Sequence, residues 1–245
     1  MSNKETTSKT LIVILSLCFV CSVIVSAAAV VLKPIQQTNK ALDFKRNILA
    51  AAGMLEEGAD VEEQFKLITT KTVNFSSDKY IADVTPEQLA QETQLTGDLD
   101  IAKIGTRADY SKVYLVENAG KLEKIILPVK GYGLWSTLYG FMALEADTNT
   151  IVGLGFYQHG ETPGLGGEID NPKWKSLWVG KEIYADDGSV AITITKGPAP
   201  VGDINKVDGL SGATLTSKGV DNLIKFWMGD SGYGPFLSNL KDGDA

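Results

Sequence analysis

Asp208-Gly209-Leu210-Ser211-Gly212-Ala213-Thr214-Leu215-Thr216-Ser217 is the stretch on which the reading of this chain turns. Three hydroxyl residues, Thr214, Thr216 and Ser217, crowd behind a Gly-Ala pair. Directly downstream, Val220, Leu223, Ile224 and Trp227 recur at i, i+3, i+4 and i+7, the period of a helix with one apolar face. The hydroxyls therefore stand where a loop opens a helix, with Thr216 or Ser217 expected as the N-cap. The first turn of such a helix offers unpaired N–H groups and the positive end of its dipole, a ready site for a phosphate. A plain helix-capping loop needs nothing more. A serine nucleophile is a second reading, because Gly209-Leu210-Ser211-Gly212-Ala213 nearly spells G-x-S-x-G. Ala213 fills the last glycine, however, and His159 is the single histidine available as base. A P-loop is excluded, since no G-x-x-x-x-G-K-[ST] is present.

Upstream, the chain opens on a different solvent problem. Thr10 to Leu32 is apolar or small throughout and carries no charge, long enough to cross a bilayer as a helix. Ala27-Ala28-Ala29 imitates a signal-peptidase site, but the apolar run exceeds an ordinary signal h-region, so an uncleaved anchor is expected. Cys18 and Cys21 lie inside this run. Their C-x-x-C spacing admits a redox or zinc reading, but two small apolar-tolerant residues in a membrane segment account for them. Lys33, Lys40, Lys45 and Arg46 after the run outnumber Lys4 and Lys9 before it. That count places the large domain in the cytoplasm, although long domains are exported regardless of such charges. The net charge of −7 across 245 residues argues against a general nucleic-acid binder, which needs a basic face. No metal-ligand cluster is visible in the sequence.

Between anchor and loop the pattern is α+β. Residues 35–55 continue as helix, with Pro34 expected as a break and Gly53 and Gly58 as terminators. Val61 to Ile68 reads as a short helix. Thr85-Pro86-Glu87-Gln88 starts another, with Thr85 as N-cap and Gln88 at N3. Residues 33–110 are thus expected to be a helical stalk and elaboration. A β-rich domain, 111–245, follows. Val113–Val116 and Ile125–Val129 pair across Asn118-Ala119-Gly120, and Leu138–Ala146 pairs with Ile151–Tyr157 across Asp147-Thr148-Asn149. Asn171–Val179 is a short helix with Trp174 and Trp178 on one face. Glu182–Ile194 suggests two further strands about Asp186-Asp187-Gly188. Two glycine-rich stretches interrupt this pattern: Gly131-Tyr132-Gly133-Leu134-Trp135-Ser136 and Gly160-Glu161-Thr162-Pro163-Gly164-Leu165-Gly166-Gly167. Glycines let a backbone approach a planar ring or a phosphate closely. Neither stretch matches G-x-G-x-x-G, so a Rossmann site is unsupported.

Asp208-x-x-Ser211-Gly212-Ala213-Thr214 resembles the pattern that flavin transferases modify, in which FMN is joined through its phosphate to the last hydroxyl residue. At average residue usage the degenerate pattern arises by chance in about one in a thousand chains of this length. With Gly131-Tyr132-Gly133-Leu134-Trp135-Ser136, Glu161-Thr162-Pro163-Gly164-Leu165-Gly166 and the N-terminal anchor, it makes nearly the whole chain resemble the C-subunit family of the Na+-translocating NADH:quinone oxidoreductases. The G subunit of the Rnf electron-transport complexes is similar at greater distance.

The resemblance implies a single-pass bacterial inner-membrane protein: a cytoplasmic tail over 1–9, an anchor over 10–32 and a periplasmic FMN-binding domain over 111–245. It implies an electron-relay subunit, with neither the NADH nor the quinone site, in a six-subunit Na+ pump. FMN is expected on Thr214 as a phosphodiester, installed by a flavin transferase that reads Asp208, Ser211, Gly212 and Ala213. Trp135 and Leu165 are the expected ring contacts, with Gly133 and Gly166 allowing close approach. Ser136, Thr162, Thr216 and the Gly212–Thr214 backbone are expected to meet the ribityl chain and phosphate. Lys196 either neutralises the phosphate or reduced flavin, or is a surface lysine at a strand end. The alternative assignment is an anchored FMN-binding module of an Rnf-like or regulatory system without Na+ pumping.

Overall fold

The computed structural model describes residues 6–56 and 58–245; most of the tail expected over 1–9, with Lys4, lies outside the described residues. Residues up to 43 and residues 44–245 form two separate compact units. The first unit is carried on helix α1 (Thr7–Ala51), which holds Pro34 in its interior. The expected break at Pro34 does not occur. One proline deletes one backbone hydrogen bond, and the helix continues on both sides of it. Residues 10–32 are exposed throughout, and α1 is the one helix among the described residues long and apolar enough to span a membrane. Its end is the expected one. Gly53 adopts φ +65°, its N–H donates to Ala50 O, and the Met54 N–H donates to Leu49 O at 2.8 Å, the paired bonds of a Schellman motif.

In the second unit come α2 (Val61–Phe65), β1 (Ile68–Asn74), β2 (Lys79–Ile81), α3 (Pro86–Leu89), β3 (Glu92–Gln94), β4 (Thr106–Ala108), β5 (Tyr110–Asn118), β6 (Lys121–Tyr132), β7 (Thr137–Glu145) and β8 (Ile151–Gln158). Then follow α4 (Pro172–Ser176), β9 (Thr193–Ile194), β10 (Lys206–Val207), α5 (Thr214–Met228) and α6 (Gly234–Asp242). The main sheet is antiparallel with order β2-β1-β5-β6-β7-β8. The capping box at Thr85 forms as expected, and so do the hairpins β5–β6 and β7–β8. The β5–β6 turn places Ala119 and Gly120 both at positive φ, as a two-residue hairpin turn of type I′ requires.

Two expectations fail here. Ile68 opens a strand instead of closing a helix, and β1 pairs along its whole length with β5. Residues 33–110 are therefore not only stalk: they supply two of the six sheet strands, and 111 is not a structural boundary. The β1 segment, Ile-Thr-Thr-Lys-Thr-Val-Asn, is rich in β-branched residues that favour a strand, and its ladder partner is β5. Likewise 182–194 forms no two-stranded hairpin. Tyr184 and Val190 make a single bridge, and Thr193–Ile194 pairs in parallel with Lys206–Val207.

The sheet is covered on both faces, which its sequence alternation reflects. Val113, Leu115, Ile125, Leu127, Leu138 and Met142 point into a large core with Val220, Leu223, Ile224 and Trp227 of α5. Tyr114, Val116, Ile126, Phe141 and Ala143 point the other way, onto Ile48, Leu49 and Ala52. Helix α5 rides close on β6. A Cβ on Gly219 would stand 2.5 Å from Tyr132 O, so only glycine permits the approach, and Trp227 Nε1 donates to Lys130 O at 2.7 Å. This packing sets the N-terminus of α5 beside the Gly131–Ser136 stretch at the end of β6.

Candidate flavin site

Three segments converge at the start of α5: the loop 133–136 after β6, the loop 159–167 after β8, and 208–217. Their junction is Glu161. The residue is 5% exposed, and four donors close on its carboxylate. Oε1 accepts the N–H of Trp135 at 2.9 Å, of Leu134 at 3.0 Å and of Ser136 at 3.4 Å. Oε2 accepts the hydroxyl of Thr216 at 2.7 Å. Burial alone would push this carboxyl up. The Trp135 N–H, the Thr216 hydroxyl and the Leu134 and Ser136 N–H groups together outweigh it and hold the pKa below its ordinary value. Glu161 is thus an ionised group in the floor of the site.

Two glycines make room for it. A Cβ on Gly133 would lie 2.5 Å from Glu161 Oε1, and one on Gly166 would lie 2.5 Å from Thr216 Oγ1 and 2.7 Å from Glu161 Oε2. The expected role of Gly133 and Gly166 in close approach is therefore met first by protein atoms. Further bonds close the loops. Ser136 Oγ accepts the Gly160 N–H at 2.6 Å, and the Thr162 carbonyl accepts the N–H groups of Leu165 and Gly167. A Cβ on Gly212, at φ +71°, would stand 3.3 Å from Leu165 Cδ2, so the second glycine-rich loop lies against the Thr214 loop.

The expected N-cap is corrected. Helix α5 begins at Thr214 with Ala213 as N-cap and no side-chain cap. Both hydroxyls assigned to capping are committed elsewhere: Thr216 is fully buried on Glu161, and Ser217 Oγ accepts the Leu210 N–H at 3.0 Å. The first helical bond runs from Ser217 N–H to Ala213 O. The N–H groups of Thr214, Leu215 and Thr216 have no acceptor among the described residues. Thr214 itself is exposed, on the first helical residue, beside three free donors.

Asp208 acts as a bracket. Its Oδ1 accepts the Ala199 N–H at 2.8 Å, and its carbonyl accepts Trp174 Nε1 at 2.9 Å, tying the loop to α4. Ala213 is buried and Ser211 exposed. Lys196 is exposed on a segment whose backbone lies against Gly209; its ammonium has no partner among the described residues. The surface of the site is apolar: Trp135 is 66%, Leu165 46% and Leu215 60% exposed. Glu161 and Leu215 are the residues that sequence reasoning gave no role. A lone glutamate within a glycine-rich loop was the available signal for the first; the helical register, which turns Leu215 outward, was the signal for the second.

The serine-hydrolase reading fails on geometry. His159 Nε2 lies 2.7 Å from Asp170 Oδ2, and Nδ1 accepts the Glu161 N–H at 3.2 Å. Both ring nitrogens are occupied, and neither meets Ser211.

An antiparallel sheet backed by a helix whose uncapped start meets two glycine-rich loops defines a class: residues 133–229 match the family model of the FMN-binding domain. The chain as a whole is 52% identical to the C subunit of the Na(+)-translocating NADH-quinone reductase of Pseudomonas aeruginosa, covering 100% of both chains. It is 44% identical to the corresponding protein of Vibrio anguillarum, over 99% of this chain and 98% of that one. The crystal structure of Shewanella oneidensis NqrC superposes with a TM-score of 0.74 at 37% identity, covering 82% of this chain and 97% of the other. The C subunit from Parabacteroides distasonis superposes with a TM-score of 0.65 at 28% identity, covering 84% and 97%. The chain belongs to the C-subunit family of the Na+-translocating NADH-quinone reductases.

Proposed function

We propose that this protein is the electron-relay subunit of a Na+-translocating NADH:ubiquinone oxidoreductase and carries FMN joined to Thr214 by a phosphodiester bond. The start of α5 supports this most directly. An exposed threonine occupies the first helical position, where the first N–H groups have no acceptor among the described residues, inside the region that matches the FMN-binding domain. The donor set fits a phosphate monoanion, and the helix dipole favours it. The exposed faces of Trp135, Leu165 and Leu215 fit an aromatic ring system.

On this reading Thr214 is a tether without a redox role. The N–H groups of Thr214, Leu215 and Thr216, with the Gly212–Thr214 backbone, hold the phosphate. Thr216 contributes its N–H only, because its hydroxyl is spent on Glu161. Trp135 and Leu165 flank the ring. Ser136 and Thr162 offer hydroxyls to the ribityl chain, and Lys196 supplies an uncommitted positive charge. Bound FMN supplies a carrier for one or two electrons, while the protein sets its orientation and potential. Asp208, Ser211, Gly212 and Ala213 form the element that a flavin transferase reads, presented on the bracketed loop. A covalent tether prevents loss of the cofactor to the periplasm.

The relatives are named as subunits of a larger reductase, and this chain takes a corresponding place among membrane and peripheral partners, six subunits in all. Residues 10–32 hold it in the bacterial inner membrane, with the tail over 1–9 cytoplasmic and the sheet domain periplasmic. Intact-mass measurement tests the tether. Thr214→Val loses the attached roughly four hundred daltons of FMN, Thr214→Ser retains it at least in part, and Ser217→Ala keeps it. Flavin mass persisting in Thr214→Val would show that another residue carries the bond.

A further inference from the structure

We infer that Glu161 is the positioning residue of the flavin site: one buried carboxylate fixes the loop bearing Trp135 and the first turn of α5 bearing Thr214 to each other, and its charge lowers the reduction potential at that site. The inference rests on the reading of Thr214 as the FMN tether.

Three observations carry it. First, the loop 134–136 directs three consecutive N–H groups inward at Oε1. Without Glu161 these three donors would lose their acceptor, and the turn bearing Trp135, 66% exposed, would be held at its ends by Gly133 N–H on Ser136 O and Gly160 N–H on Ser136 Oγ, with no bond to α5. Second, Oε2 reaches Thr216, two residues after the tether and fully buried. The aromatic platform and the tether thus belong to elements about 80 residues apart in sequence that share a single anchor. Third, both approaches to the carboxylate are lined by glycine, where any Cβ would displace it. The space is shaped for this side chain in this rotamer. The Glu161 backbone is held as well, its N–H donated to His159 Nδ1, with His159 in turn on Asp170.

The electrostatic consequence follows from sign alone. An ionised carboxylate in the floor of the site disfavours further negative charge there. Flavin reduced beside it therefore has a lower potential than it would beside a neutral group of the same shape. The N–H groups that surround Glu161 stabilise its charge without removing it.

Glutamine separates the two roles. In Glu161→Gln, Oε1 still accepts three N–H bonds, and Nε2 donates to the Thr216 oxygen, which reverses its role from donor to acceptor. Shape and positioning persist and the charge is gone. Glu161→Ala removes both. Gly166→Ala leaves the carboxylate but drives a methyl between it and Thr216.

The test uses the full chain, matured with its flavin transferase in the membrane, with flavin load read by in-gel fluorescence of the denatured protein. The midpoint potential is read by spectroelectrochemical titration of the solubilised protein. The expected results are a wild-type load and a positive shift of potential in Glu161→Gln, and a loss of at least half the load in both Glu161→Ala and Gly166→Ala. An unchanged potential in loaded Glu161→Gln overturns the charge role. Full loads in both Glu161→Ala and Gly166→Ala overturn the positioning role. Absence of covalent flavin from the unmutated chain instead overturns the tether reading, so the two failures are distinguishable.

Discussion

Thr216→Val isolates one bond of the buried carboxylate. Both side chains are β-branched and nearly the same shape, so α5 keeps its packing at a residue with no solvent exposure. What is lost is the hydroxyl 2.7 Å from Glu161 Oε2. A hydrogen bond to a charged group contributes about 1.5–3 kcal/mol, and that is the expected destabilisation at neutral pH. Oε1 keeps its three N–H donors, so the loss stops short of the roughly 3–5 kcal/mol of a buried charge stripped of its partner. The pH dependence fixes the origin. The folded pKa of Glu161 is depressed, so its stabilisation is fully present above the unfolded value of about 4.3 and is lost as pH falls through the lower folded value. The valine variant has less depression and so loses less on acidification. The gap between the two proteins should narrow in acid to the roughly 0.5–1.5 kcal/mol of a neutral hydrogen bond. Urea unfolding of the detergent-solubilised chain, followed by tryptophan fluorescence, measures this. All four tryptophans lie in residues 44–245, so the signal reports the sheet domain and not the apolar helix. A loss below about 0.5 kcal/mol at neutral pH, or a gap that stays constant or widens in acid, would refute the role assigned to this carboxylate.

Two further expectations concern the site surface and the anchor. Trp135→Ala and Leu165→Ala keep covalent flavin but shift its visible spectrum and potential, since packing on the ring is separate from attachment; an unchanged redox titration in both removes them from the site. Residues 10–32 stay in the mature protein and the sheet domain lies outside the cytoplasm, so a cysteine replacing exposed Asp242 reacts with an impermeant thiol reagent in intact spheroplasts. Labelling only after lysis, or a mature N-terminus after Ala29, contradicts this topology.

Local pattern was enough for much of the chain. The uncharged run over 10–32, the Gly53 helix stop, the Thr85 capping box and the two long hairpins were legible, because each depends on residues within one turn or one strand of each other. The helix after the Gly-Ala pair was legible from its 3.6-residue period. What stayed hidden were the features that depend on distant partners. Ile68–Asn74 carries the β-branched residues of a strand, but its partner is β5, far downstream, and nothing local names it. Thr216 and Ser217 look like caps in sequence, and capping is what such residues do when nothing else competes. Here a carboxylate 55 positions away takes one hydroxyl and the Leu210 N–H takes the other, leaving the helix start without a side-chain cap and its first N–H groups without an acceptor among the described residues. Glu161 shows the division most sharply. Its one-letter context says only that a charge sits among glycines; three N–H groups from one loop and a hydroxyl from a helix make it a buried, ionised anchor, and only the folding of β6, β8 and α5 onto one another brings those donors within reach of a single carboxylate.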